Sequence, residues 1–391
     1  MASANTIIRG RFQRPIRRTK LQETCGQLSD LAHSLGPDAK LPTVIQLRDR
    51  FSVSVATLNS ALTELEAQRV IRRKHGVGIY VSPRIRQRTV CLICDPSFFR
   101  VAGASPCWNL LVDRVRQRAE AEHETLSFHF TADDPSVILQ KEPTAAPLQS
   151  GLVSDIVNGR VHGLLCVGVL KPTMLWIERQ QIPTVAFAGP GPFAVGINSN
   201  ETMRQGVAAL AAKGCRRIAY WSAVSPYRMA DQVWPPTDER QTHFAATLAA
   251  ANLSLDPSLV QMNDHLVAPG TFHTLSHQEQ GYRMASRIFG PDSDPETWPD
   301  GIFSADDMLT QGALTSLQKL GVRVGKDVQI ATHANVGSPA LLGWENDLII
   351  VEVDPAEIVD QMFDTLERLM DGENPVPASH EVAPRLRGGA F

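Results

Sequence analysis

Arg72, Arg73, Lys74 and His75 stand in one run, followed by Gly76 and Gly78, within VIRRKHGVGIYV. Cationic side chains on a turn between two short alternating strands can grip phosphate oxygens or probe a groove of a polyanion. A second chemical set lies far downstream. Asp307 follows the apolar run GIFSA, and Arg240 opens a helical stretch after RRIAYWS. The carboxyl end of a strand is where open α/β sheets bind ligands. Cys91 and Cys94 form a C-x-x-C inside TVCLIC, where an apolar run favours buried strand residues over a metal or redox pair. His273 and His277 are four apart but belong to no H-E-x-x-H motif. No catalytic triad, phosphate loop, paired-carboxylate motif or metal-ligand spacing emerges, so neither an enzyme nor a cofactor is expected.

Charge supports the division into two chemistries. The net charge of the 391 residues is -3, but residues 1–88 hold 16 basic and 6 acidic residues, a net of +10, leaving -13 for the remainder. A basic head on an acidic body suits a head that meets nucleic acid. No stretch of 18 apolar residues could span a membrane, and the N-terminus lacks a basic-then-apolar export pattern. A cytoplasmic protein is expected, and its six scattered cysteines are expected to stay reduced.

The elements that position these residues follow from periodicity. Residues 1–20 read as a basic arm. A helical period begins at Leu21 and stops at Gly36 and Pro37. A short helix follows LPT, and Ser54 is a good N-cap for a third helix striped by Leu58, Ala61, Leu62 and Leu65. A basic hairpin closes the unit. Three helices and a hairpin over 21–82 make a winged helix-turn-helix, an α+β unit. At the start of the third helix, Ser54, Val55, Thr57, Asn59 and Ser60 lie off the apolar stripe and can enter a major groove. Thr43 and Arg48 of the second helix, with Gly76 of the wing, complete the expected DNA-contacting set. A basic linker, 83–88, leads into strands alternating with helices, an α/β pattern that implies parallel sheets covered on both faces. Polar or Pro-rich insertions interrupt it at 131–150, 222–238, 254–280 and 290–300.

The run LPTVIQLRDRFSVSVATLNSALTELEAQRVIRRKHGVGIYV resembles the GntR-type winged helix. Leu41, Pro42, Leu47, Phe51, Val53, Ser54, Thr57, Ala61, Leu62, Leu65, Ile71, Gly76, Gly78, Tyr80 and Val81 carry the likeness. Ile45, Val55 and Asn59 depart from it, standing where the family usually has Arg. The resemblance therefore does not supply the operator sequence; Val55 can pack on a thymine methyl and Asn59 can pair with adenine.

Residues 89–391 resemble the effector domain of LacI-type regulators, which share the fold of type I periplasmic sugar-binding proteins. The likeness rests on RTVCLICDPSFF, VGINSNETMRQGVAALAAKGCRRIAYWS, DGIFSADDMLTQGALTSLQKLGVRVGKDVQIAT and EVDPAEIVDQMFDTLERLMDGE. It implies two lobes, with 89–196 and 334–350 in one and 197–333 and 351–391 in the other. It also implies a small-molecule effector, a sugar, in the cleft between them. Asp307 and Arg240 map onto its ligand-binding positions. Asp95, Phe98, Phe99, Trp108, Asn109 and Asn335 are further candidates, from loops after strands and a helix start. His333 and Ala334 precede Asn335 where relatives often carry acids, so that side of the pocket is altered.

These resemblances imply a homodimeric transcriptional repressor, binding double-stranded, palindromic DNA under control of the effector. Two alternatives are a body that only dimerises and one that binds a non-sugar such as a nucleobase. An aminotransferase-like body would need a pyridoxal-phosphate lysine, and Lys171, Lys213, Lys319 and Lys326 sit in no such motif. A secreted solute-binding protein would need an export signal.

Overall fold

The computed structural model describes residues 19–68, 70–74, 76–83, 85, 87–96, 99, 105–131, 148–223, 237–262, 275–374 and 377–388. The chain divides between Gln87 and Arg88 into two compact units.

In the first unit, α1 (Lys20–Leu35), α2 (Val44–Phe51) and α3 (Val55–Ala67) precede a hairpin of β1 (Ile71–Lys74) and β2 (Gly78–Val81). Each helix starts where a hydroxyl satisfies an orphan N–H: Thr19 and Thr43 form capping boxes with Gln22 and Gln46, and Ser54 accepts from the Thr57 N–H. Ser52 ends α2 in the left-handed region at φ 50° and makes the turn into α3. Leu58, Ala61, Leu62 and Leu65 of α3 pack on Leu28, Ala32, Leu47, Ile71, Ile79 and Val81. This is a winged helix-turn-helix.

The second unit has two lobes, each a six-stranded sheet. The first lobe has the order β13-β7-β6-β5-β3-β4, built from β3 (Thr89–Cys94), β4 (Thr125–Phe130), β5 (Gly163–Val167), β6 (Thr184–Phe187), β7 (Ala194–Ile197) and β13 (Ser379–Val382), all parallel. Val90, Leu92 and Cys94 enter one core and Cys91 and Ile93 the other, as the strand period of two requires. The helices α4 (Cys107–Ala121), α5 (Ser150–Val157) and α6 (Lys171–Arg179) belong to this lobe. The second lobe has the order β14-β12-β11-β10-β8-β9, from β8 (Ile218–Ser222), β9 (Val260–Met262), β10 (Gly301–Ser304), β11 (Gln329–Asn335), β12 (Leu348–Val353) and β14 (Arg385–Leu386), with β14 alone antiparallel. Around it lie α7 (Ser199–Ala212), α8 (Thr237–Ala250), α9 (His277–Ile288) and α10 (Asp307–Leu320).

The division into lobes differs from the one expected. β11 runs unbroken to Asn335 and pairs in register with β12 up to Asn335 and Val353, so residues 334–353 stay in the second lobe. The chain crosses only at Asp354. There α11 (Pro355–Met370) buries Ile358, Val359, Met362, Phe363 and Leu366 in the first lobe's core, and β13 extends that lobe's sheet. It returns between Val382 and Arg385 to form β14. With the passage at Asn198, three connections join the lobes. Two of them carry side chains that cap the next helix: Asn198 accepts from the Glu201 N–H at 2.9 Å and Asp354 from the Ala356 N–H at 2.8 Å.

Candidate functional site

On the head, burial of the α3 stripe leaves Ser54, Val55, Asn59 and Ser60 exposed and Thr57 half-exposed. The Ser54 and Thr57 hydroxyls hydrogen-bond each other at 2.8 Å, and Thr43 is engaged with Gln46 in its cap. Arg48 Nε donates to Asp49 at 2.8 Å.

The wing divides its cations in a way the sequence does not show. Arg73 donates from its backbone N–H and Nε to the two Glu66 oxygens at 2.9 and 2.8 Å, and from Nη2 to Thr63 Oγ1 at 2.7 Å. The Arg73 backbone N–H, with its guanidinium, holds the Glu66 carboxyl below its ordinary range. Arg72 pairs with Asp38. Both arginines thus carry an ion pair within the head, which the run of basic residues does not reveal. Lys74 instead lies over the Tyr80 ring at 5.2 Å, and Lys40 lies near the same ring at 5.8 Å. Neither lysine has a carboxylate within 4.0 Å among the described residues. Lys40 is brought there by a bridge pairing it with Tyr80, 40 residues on, a contact without a local sequence signal. Gly78, at φ +142°, leaves room for it, since a Cβ would stand 2.8 Å from Lys40 Cε. Gly76 turns the tip at φ +72°. His75 lies outside the described residues.

In the second unit, the carboxyl ends of the second lobe's parallel strands gather polar groups, where open α/β sheets bind ligands. Asp306 caps α10, accepting from the Leu309 N–H at 2.8 Å, and its other oxygen lies 3.1 Å from His277 Nδ1. Burial opposes ionisation of Asp306, but the imidazole of His277 and the Leu309 N–H outweigh it and hold the carboxyl low. Capping thus falls to Asp306 and not to Asp307. Asp307, 1% exposed, accepts from Ser338 Oγ at 2.9 Å. Burial, then the adjacent Asp306 charge, pushes it up to about 7. Beneath them the Thr310 hydroxyl joins Ser304 and Thr332 at 2.7 Å each.

Three further groups at this edge have buried atoms without a hydrogen-bond partner: His333 Nε2, Asn335 Oδ1 and Arg240 Nε. Arg240 donates from Nη1 to Ser222 Oγ, at the end of β8, at 2.8 Å. Burial keeps His333 neutral, with its pKa below the usual value. A buried donor or acceptor left unmade costs about 1–3 kcal/mol, so these atoms favour a ligand that both donates and accepts.

The first lobe faces this set with the start of α4. The Cys107 thiol is pushed up to about 12, first by burial and then by the charges of Asp307 and Asp306. Leu110 lies against Gly337, where an added Cβ would meet it at 3.6 Å. Trp108 tilts against Phe187 at 6.2 Å, and Asn109 is exposed beside it. Asp95 is buried at the end of β3, its N–H bonded to Val167. Phe99 packs edge-on to Phe128 and Phe130 at 6.2 and 5.6 Å. Phe98 lies outside the described residues. Sequence reasoning missed Ser222, Asp306, Ser338 and Cys107. His277 lacked a metal partner, but the capping box at Ser276 and Glu279 marks it as the first residue of a helix.

The comparisons match this architecture. Residues 30–81 match the bacterial regulatory proteins of the gntR family, and residues 207–390 the periplasmic binding protein-like domain. The chain is 26% identical over 154 residues to the HTH-type transcriptional repressor PurR of Escherichia coli O139:H28, covering 39% of this chain. That match spans 42% of the length of the relative. Among solved structures, a LacI-family regulatory protein from Chloroflexus aggregans superposes with a TM-score of 0.59 at 19% identity, over 76% of this chain and 96% of the other. The transcriptional regulator CelR–cellobiose complex superposes with a TM-score of 0.56 at 19% identity, over 95% and 98%. No helix among the described residues is long and apolar enough to cross a membrane.

Proposed function

We propose that this chain, a gntR-type winged helix fused to a periplasmic-binding-protein-like body, is a transcription regulator whose hold on DNA is set by a small polyol, a sugar, in the interlobe cleft. The observation that carries the reading is the cleft floor. Asp307, buried and held by Ser338, stands at one strand-edge layer with the buried, unpartnered atoms of His333, Asn335 and Arg240. Sugar hydroxyls donate and accept at once, so one ligand can complete all four groups. Support comes from the regulators to which the chain is similar, one of them solved with cellobiose. In the head, α3 offers its exposed N-terminal face to the major groove, and Lys40 and Lys74 offer free cations to phosphates.

A ligand touching both lobes binds the closed form better and shifts the population toward it. The three connections at Asn198, Asp354 and residues 382–385 are where such closure bends. A homodimer on a palindromic site converts the change into fit or misfit of two recognition helices, with a coupling of about 1–3 kcal/mol. The test is calorimetry of the full chain against mono- and disaccharides, paired with operator binding at each saturating sugar. A sugar that binds and changes operator affinity at least fivefold supports the reading. Heat from no member of the panel, with operator binding intact, favours a body that only dimerises or takes a non-sugar.

A further inference from the structure

We propose that this head selects its operator through thymine methyls and adenine edges, with Val55 and Asn59 reading and no cationic contact to guanine from α3. The proposal rests on the reading that α3 lies in the major groove. None of the 13 residues of α3 is Lys or Arg. The commonest specific contact to guanine, a bidentate cation on O6 and N7, is therefore missing from the helix. What α3 presents instead is apolar and amide surface. Val55, its first residue, is 47% exposed, and Ile45 in the first turn of α2 is 65% exposed. The apolar feature of a base edge that such side chains can cover is the thymine C5-methyl.

The polar groups narrow the reading further. Ser54 and Thr57 bond each other, and Thr63 Oγ1 donates to the Asn59 carbonyl while accepting from Arg73. The Asn59 amide is exposed and makes no bond to another described residue. An Asn amide matches adenine N6 and N7 in a bidentate pair. Val55 and Asn59 are four residues apart, so they share a helix face about 6 Å apart along the axis. That is under two base-pair steps of about 3.4 Å each. Each half-site should therefore carry a thymine and an adenine within one or two base pairs of each other.

The experiment selects duplexes from a random pool with the full-length protein, then measures binding to the selected site carrying base analogues. Replacing the contacted thymine with uracil removes only the methyl and should weaken the wild type about fourfold. V55A should bind the thymine site about fourfold more weakly and no longer distinguish thymine from uracil. N59A should erase a preference for adenine of about fivefold or more at its position. Both sites are exposed on a helix where Ala is the better helix former, so melting temperatures should hold. Half-sites fixed by guanines that are sensitive to 7-deazaguanine, or a V55A variant that still distinguishes thymine from uracil, overturn the proposal. Salt-dependent duplex binding with no thymine–uracil discrimination sinks this assignment alone. Failure to bind any duplex sinks the DNA-binding reading with it.

Discussion

Asp306 and Asp307 adjoin in sequence and diverge in chemistry. His277 and a helix N-terminus keep the first ionised, whereas burial beside that charge keeps the second near neutrality at about 7. A folded-state pKa raised from 3.8 means that the native protein holds a proton the unfolded chain has lost between those values. Stability from this group is therefore greatest at low pH and is lost as pH rises from about 4 to 7. Asp307→Asn should raise the ligand-free melting temperature more at pH 8 than at pH 5; equal gains at both would show that Asp307 titrates normally. Effector hydroxyls that donate to Asp307 prefer its ionised form. Affinity should then climb toward pH 7 by as much as about tenfold per pH unit, and calorimetry in buffers of different ionisation heat should detect proton release. Asp307→Ala removes the acceptor and should weaken effector binding about tenfold or more while leaving ligand-free operator affinity near wild type. Lost operator binding in that variant, or an unchanged effector response, would remove Asp307 from the sensor.

At the scale of elements, the wing and one helix pair make separate claims. Lys40→Gln with Lys74→Gln should flatten the salt dependence of DNA binding by a slope of about 2, one unit for each phosphate lost. Arg73→Ala should chiefly lower the head's melting temperature, because its bonds to Glu66 and Thr63 tie the wing to α3. A salt slope that responds to Arg73 and ignores the lysines would reverse the assignment. In the second lobe, α9 and α10 meet through glycines. A Cβ at Gly281 would stand 1.9 Å from the Leu309 carbonyl oxygen, and one at Gly312 equally close to that of Gln278. Gly312→Ala should cost about 1–3 kcal/mol or more, visible in thermal unfolding, because backbone cannot move aside as a side chain can. The strands were legible in the sequence because buried parallel strands such as GLLCV and GIFS are continuous apolar runs. The Ser54 cap, and Asp307 at a strand's carboxyl end, were legible for equally local reasons. Lobe membership after residue 333 and the Lys40–Tyr80 contact were not, since each depends on which distant strand a segment pairs with. The ion pairs of Arg72 and Arg73 were not legible either, because their acids, Asp38 and Glu66, lie outside the wing.

For the whole molecule, a dimer is the expected state on and off DNA, and sedimentation at micromolar concentration checks it; a monomer under both conditions would count against two-fold operator reading. Effector should also reduce the radius of gyration in solution scattering, because closure brings the lobes together. The triple crossing between lobes has a consequence for synthesis. The head is contiguous and can fold as soon as it leaves the ribosome. Neither lobe is contiguous: the first waits for α11 and β13, the second for β14 at residues 385–386. Translation therefore completes the winged helix well before either sheet of the second unit, and a chain arrested short of residue 379 would carry a folded head on two sheets that each lack an edge strand.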